Sequence, residues 1–114
     1  MIRANAFPKD LRLRNAADFQ TVYKRGAKKS SRSFVVFTIA NGLEHSRFGL
    51  TTPRKLGAAH ERNRIKRRVR EILRTSRGLL PPGMDVVLNP RRSAGEVDFE
   101  GLRTELVSLI HNFL

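Results

Sequence analysis

The sequence predicts an α+β fold, a small sheet with helices against it in the order α-β-β-β-α-β-α, packed as a two-layer sandwich. Three observations carry that expectation. "FVVFTI" and "MDVVLN" are β-branched, apolar runs of strand length. The stretches 58–76 and 98–113 repeat apolar residues at helical spacing. Gly78, Pro81, Pro82 and Gly83 break the chain between a helical and a strand-like segment. At 114 residues the chain suffices for one modest core and not for two, so residues 1–114 are read as a single domain, with about residues 1–10 as a flexible extension.

In chain order, Asn15 is placed to cap a first helix that runs to about Arg25, with Phe19, Val22 and Tyr23 sharing a face and Gly26 as the stop. The polar "AKKSSRS" has room for a short edge strand. Phe34–Ile39 follows, with apolar residues at both parities, which predicts cover on both faces. Asn41 and Gly42 mark a turn, after which Arg47–Thr51 is expected to pair back on the preceding strand as a hairpin before Pro53 ends it. Ile65, Val69, Ile72 and Leu73 recur at i, i+4, i+7 and i+8 and predict a helix from about Ala58 to Ser76. Met84–Asn89 is almost continuously apolar, as buried parallel strands are, so the helix before it is expected to be a crossover. Asp98 or a neighbour starts a last helix bearing Leu102, Leu106, Leu109, Ile110 and Phe113.

Charge is the strongest functional signal. The formal net charge is +13, and it is unevenly placed: residues 1–77 hold 20 Lys and Arg against 5 acids, or +15, and residues 78–114 hold 3 against 5, or −2. Such an excess opposes compaction unless a polyanion relieves it. The absence of cysteine excludes disulfides and Cys-ligated zinc and fits a reducing compartment. The N-terminal "MIRANAFPKDLRLR" lacks the apolar run of a signal peptide, and no segment approaches the roughly 20 apolar residues of a membrane span. A cytoplasmic location without membrane contact is expected.

The charge concentrates in "HERNRIKRRVREILRTSR", where seven Arg and one Lys face two Glu. With the apolar stripe turned to the core, His60, Asn63, Arg64, Arg67, Arg70 and Arg74 fall on the opposite face, and Arg62 and Arg68 lie near the stripe's edges. Like charges at i, i+3 and i+4 repel, and phosphates would reverse that sign. A planar guanidinium suits bidentate phosphate contacts and stacking on bases. A merely solvated charged face is the bland alternative, and a membrane or calmodulin-type helix would need the apolar stripe that the core requires. DNA is not the expected partner, because strands and "TTPRK", not a second helix, precede the basic helix. Phe19, Tyr23 and Phe37 could supply stacking platforms for single-stranded RNA, although aromatic residues in so small a domain are commonly core.

No catalytic site is legible. His45, His60 and His111 lie in different segments without ligand-spaced companions. Glu96, Asp98 and Glu100 resemble a carboxylate cluster, yet at the start of a helix they read as caps that oppose its dipole. "GLTTPRKLG" lacks the Gly-Lys-Ser/Thr ending of a phosphate-binding loop. Neither a catalytic side chain nor a metal ligand is assigned.

"RFGLTTPRKLGAAHERNRIKRRVRE", preceded by "DFQTVYKRG" and "FVVFTI", resembles the protein component of bacterial ribonuclease P, with Arg62-Asn63-Arg64 and its Ile-Lys-Arg continuation as the most specific part. The resemblance runs from about Leu11 to the last helix. It implies an RNA-binding subunit that assists a catalytic RNA in removing the 5′ leader of precursor tRNA, with Mg²⁺ used mainly by the RNA. It also implies a left-handed β-α-β crossover and an RNA-binding set of Arg54, Lys55, Arg62, Asn63, Arg64, Lys66, Arg67, Arg68 and Arg70. Phe19, Tyr23, Val35 and Phe37 match the family's leader-binding cleft, with Phe37 where a tyrosine also occurs. A general RNA chaperone or ribosomal protein is the competing reading from charge alone, and a self-sufficient metal nuclease is a third.

Overall fold

Strands that are apolar on both sides need cover on both faces, and here that cover is unequal. The computed structural model describes residues 11–13 and 15–113; the extension expected at 1–10 lies outside the described residues. The elements are α1 (Ala16–Arg25), β1 (Ala27–Ser30), β2 (Phe34–Ala40), β3 (Arg47–Leu50), α2 (Ala59–Thr75), β4 (Met84–Pro90) and α3 (Phe99–His111). The order α-β-β-β-α-β-α is the one expected, and β1 is the short edge strand for which the polar link had room.

The hairpin expectation for β3 is corrected by the sheet order β1-β2-β4-β3. β2 pairs antiparallel with β4, Val36 opposite Leu88, and β3 pairs parallel with β4, Phe48 opposite Val86. The reason lies in β4, whose Val86, Val87 and Leu88 are buried on both faces and need a central position. A strand with that pattern displaces the adjacent-in-sequence pairing of β2 with β3, whatever the turn between them permits. Because β3 and β4 run parallel, α2 is the crossover between them.

Alternation along the strands sorts the two faces. Phe34, Val36, Phe48, Val86 and Leu88 point to one side and meet Ile65, Val69, Ile72 and Leu73 of α2 and Leu102, Leu106, Leu109 and Ile110 of α3 in the main core. This is the two-layer sandwich. On the other side α1 covers part of the sheet, with Val22 packed on Val87 and Leu13, and with Phe19, Tyr23, Phe37 and Ile39 half-buried around them. The far end of that face, around Val35 and Asn89, stays open.

Local chemistry explains the helix ends. Asn15 Oδ1 accepts from Ala17 N at 2.8 Å, and Asp98 Oδ2 accepts from Gly101 N at 3.1 Å, so both expected caps are present. Glycine is required at position 49, because a Cβ there would run into the ring of Phe19. α1 therefore sits directly on β3.

Candidate nucleic-acid interface

α2 begins after a single 3-10 turn, Arg54–Leu56, in which Leu56 is buried and Arg54 and Lys55 remain exposed. Gly57 then takes φ +133°, a backbone state that side chains rarely adopt, and a Cβ there would collide with the Glu61 carboxylate. That turn aims the helix so that its stripe of Ile65, Val69 and Ile72 enters the core. His60, Asn63, Arg64, Arg67 and Arg70 project from the opposite side as exposed residues, and Arg62, Lys66 and Arg68 are half-buried at its edges.

Two of these arginines are already engaged. Arg68 donates from Nη1 to Ala94 O at 2.7 Å and from Nη2 to Val97 O, tying α2 to the segment before α3. Burial, followed by the neighbouring Arg64 charge, pushes its guanidinium pKa down, with Asp98 acting the other way. Arg74 donates to Glu71 through Nε at 3.1 Å and Nη2 at 2.5 Å, and those hydrogen bonds hold the Glu71 carboxyl below its usual range. Arg64, Arg67 and Arg70 carry no such partners among the described residues, so the free charge is concentrated on the first three turns of the helix.

The open end of the sheet forms a cleft of about 500 Å³ beside this helix, floored by Val35, Phe37, Thr51 and Asn89 and rimmed by Lys28, Lys55, Arg91 and Arg92. Tyr23 meets Phe37 edge-on, with centroids 4.9 Å apart and planes at 82°. Lys28 Nζ lies 5.7 Å from the Phe37 centroid, within cation–π range. Arg91 donates from Nη1 to Ser31 O at 3.0 Å, and Arg92 reaches Lys55 O from Nε at 3.4 Å. A second groove of about 430 Å³, lined by His60, Arg64, Glu61 and Glu96, shares Leu56 and Arg92 with the cleft. Cleft and basic helix thus form one continuous surface, apolar and aromatic at one end and cationic at the other.

The matches of the sequence and fold to known proteins agree. The ribonuclease P family model matches residues 7–114. The ribonuclease P protein component of Thermotoga petrophila is 41% identical over 109 residues, covering 92% of this chain and 93% of its own. The Thermotoga maritima ribonuclease P protein superposes with a TM-score of 0.82 at 40% identity, covering 89% of this chain and 96% of that one. A mutant of the Staphylococcus aureus protein gives 0.83 at 31% identity, with 91% and 88% covered. The chain belongs to the ribonuclease P protein family. Membership makes it a subunit of a tRNA-processing ribonuclease that works with an RNA subunit.

In this ribonuclease P protein the residues singled out from sequence do not all stand alike. Tyr23, Val35 and Phe37 converge on the open half of the sheet, whereas Phe19 seats its ring on Gly49 beside Leu13, toward the closed end. Arg54, Lys55, Asn63, Arg64, Arg67 and Arg70 are exposed, and Arg62 turns a buried Nε inward that has no partner among the described residues. Lys28, Arg91 and Arg92 were missed. The signal for the last two was "NPRRS", a basic pair directly after a buried strand, whose place at the cleft follows only from the central position of β4.

The acidic cluster before α3 does not converge as a metal site would. Asp98 caps the helix, and Glu100 pairs with Arg103 at 3.3 Å. Among the described residues no group of three or more His, Asp or Glu could hold a metal ion. No described helix is long and apolar enough to cross a membrane.

Proposed function

We propose that this subunit holds the single-stranded 5′ leader of precursor tRNA in the cleft of Tyr23, Val35 and Phe37 while the exposed face of α2, with Arg54 and Lys55, contacts the RNA subunit. The catalytic centre then lies in the RNA, which holds the Mg²⁺, and the protein acts in the cytoplasm. The observation that carries this reading is the continuity of the two surfaces: Leu56 and Arg92 line both the aromatic cleft and the groove along α2. A strand lying in the cleft therefore runs onto the helix face without leaving the protein.

The chemistry of each part suits its role. Aromatic faces stack on bases with little regard to sequence, at about 1–3 kcal/mol per base, and the surrounding Lys and Arg follow the backbone. Each phosphate neutralised contributes roughly 0.7 to 0.9 to the slope of log affinity against log salt, so binding weakens steeply as salt rises. A cationic protein between two RNAs lowers their repulsion, and with it the Mg²⁺ needed to hold them together. The charge of +13 on 114 residues is ample for that purpose.

The test is differential. Tyr23→Ala with Phe37→Ala is expected to weaken holoenzyme binding of precursor tRNA by about fivefold or more, with little change for mature tRNA, because only the precursor has a leader to stack. Equal losses for both substrates would return these rings to a purely structural role.

A further inference from the structure

The border between the cleft and the groove along α2 is a short segment, residues 91–97, that leaves β4 and leads into α3. Its 3-10 turn, Arg92–Gly95, carries Arg92, which lines both the cleft and the groove. The first half of the segment is fastened to the loop after β1: Arg91 N donates to Ser33 O at 2.8 Å, and Ser93 Oγ donates to Arg32 O at 3.0 Å. The second half is held from the other side by a single guanidinium. Arg68 donates from Nη1 to Ala94 O at 2.7 Å and from Nη2 to Val97 O, and among the described residues these are the only hydrogen bonds between α2 and the segment. Ala94 is fully buried and Arg68 half-buried, so a carbonyl deprived of this donor is not readily rehydrated.

An arginine on a cationic helix face is ordinarily free to meet a phosphate. This one is committed to two backbone carbonyls. We propose that Arg68 is a positioning residue for substrate binding: it acts through Arg92, fixing segment 91–97 against α2 so that the Arg92 side chain stands where cleft and groove meet. The inference rests on the reading that the leader lies in the cleft and runs onto the groove. Arg92 is exposed, and its own hold on Lys55 O is long, 3.4 Å from Nε and 3.3 Å from Nη2, so the place of its side chain depends on the backbone beneath it. The two carbonyls take one terminal nitrogen each, a pair that a planar fork spans and a compact ammonium does not. Lysine at this position keeps the charge and loses the geometry, which separates positioning from a direct phosphate contact.

Holoenzyme assembled from the RNA subunit and saturating full chain, carrying Arg68→Lys, Arg92→Ala or both, is titrated with precursor and mature tRNA. Each single variant is expected to bind precursor about fivefold more weakly, the worth of one net hydrogen bond, with mature tRNA changed less than about twofold. Because Arg68 acts through Arg92, the double variant also loses about fivefold, where independent contacts would multiply to about 25-fold. Hydrogen exchange reads the segment itself: the N–H groups of Glu96 and Val97, which donate to Ser93 O, exchange about tenfold faster in Arg68→Lys, while those of Val86, Val87 and Leu88 keep their rates. Full precursor affinity in Arg68→Lys, multiplied losses in the double variant, or exchange that quickens equally in β4, as a purely global loss of stability would give, overturns the inference and leaves the leader reading standing. If the leader adds no affinity over mature tRNA for the unsubstituted protein, the leader reading fails and takes the inference with it.

Discussion

Replacing Arg64 and Arg67 together with alanine lowers affinity for the RNA subunit about tenfold or more at low salt, and the holoenzyme then needs more Mg²⁺ for the same cleavage rate. Both side chains are exposed and unpaired among the described residues, so the fold persists while the charge disappears. Charge-assisted hydrogen bonds are worth more than neutral ones, and two lost phosphate contacts reduce the slope of log affinity against log salt by about 1.4 to 1.8. Binding measured from low to moderate salt reads that slope directly. Arg68→Ala behaves differently, because its guanidinium holds Ala94 O and Val97 O: it costs stability first and RNA affinity second. An unchanged salt slope and Mg²⁺ requirement for the double variant would detach α2 from the RNA.

The largest stability loss is expected at the opposite end of the α1 face. Asp85 on β4 is 7% exposed and accepts from Arg47 twice, from Nε at 2.9 Å and Nη2 at 2.6 Å, and from Asn41 Nδ2 at 3.0 Å. Asp18 of α1 approaches the same guanidinium at 3.8 Å. The hydrogen bonds Arg47 donates to Asp85, opposed by burial and aided by the charges of Asp85 and Asp18, leave the Arg47 pKa raised. Asp85→Ala strands Arg47 and unlinks β3, β4 and the loop after β2 at once. Removing one partner of a buried pair costs about 3–5 kcal/mol, and the partial exposure of Arg47 places this case near the lower end. For a domain of this size that corresponds to a Tm lower by roughly 10 °C or more, read by circular dichroism. A loss within about 1 kcal/mol would show that the pair is solvent-screened and not structural.

What was legible in the sequence was local. Asn15 and Asp98 announce helix starts because a cap is decided by two or three neighbouring residues, and the Ile65–Val69–Ile72 stripe announces α2 because a helix repeats within itself. The partner of β3 was not legible. Sheet order depends on which strand most needs burial on both faces, and that comparison spans the chain, so the turn at Asn41 and Gly42 pointed to a hairpin that β4 displaces. The same limit governed the site. The basic face of α2 could be drawn from sequence alone, but not that Arg68 turns to a carbonyl pair or that Phe19 settles over Gly49. Lys28 on β1 is far in sequence from Asn89, Arg91 and Arg92 at the end of β4, and they meet only because β2 lies between β1 and β4. The resemblance to the family supplied Val35, which no charge or periodicity argument would have selected.

The central claim is that this chain acts through an RNA and not by itself. It is tested most directly by cleavage of precursor tRNA at low millimolar Mg²⁺ with three samples: the RNA subunit alone, this protein alone, and the two together. Efficient removal of the leader by the combination only is the predicted result. Equal cleavage by the RNA with and without protein, or cleavage by the protein alone, would contradict it.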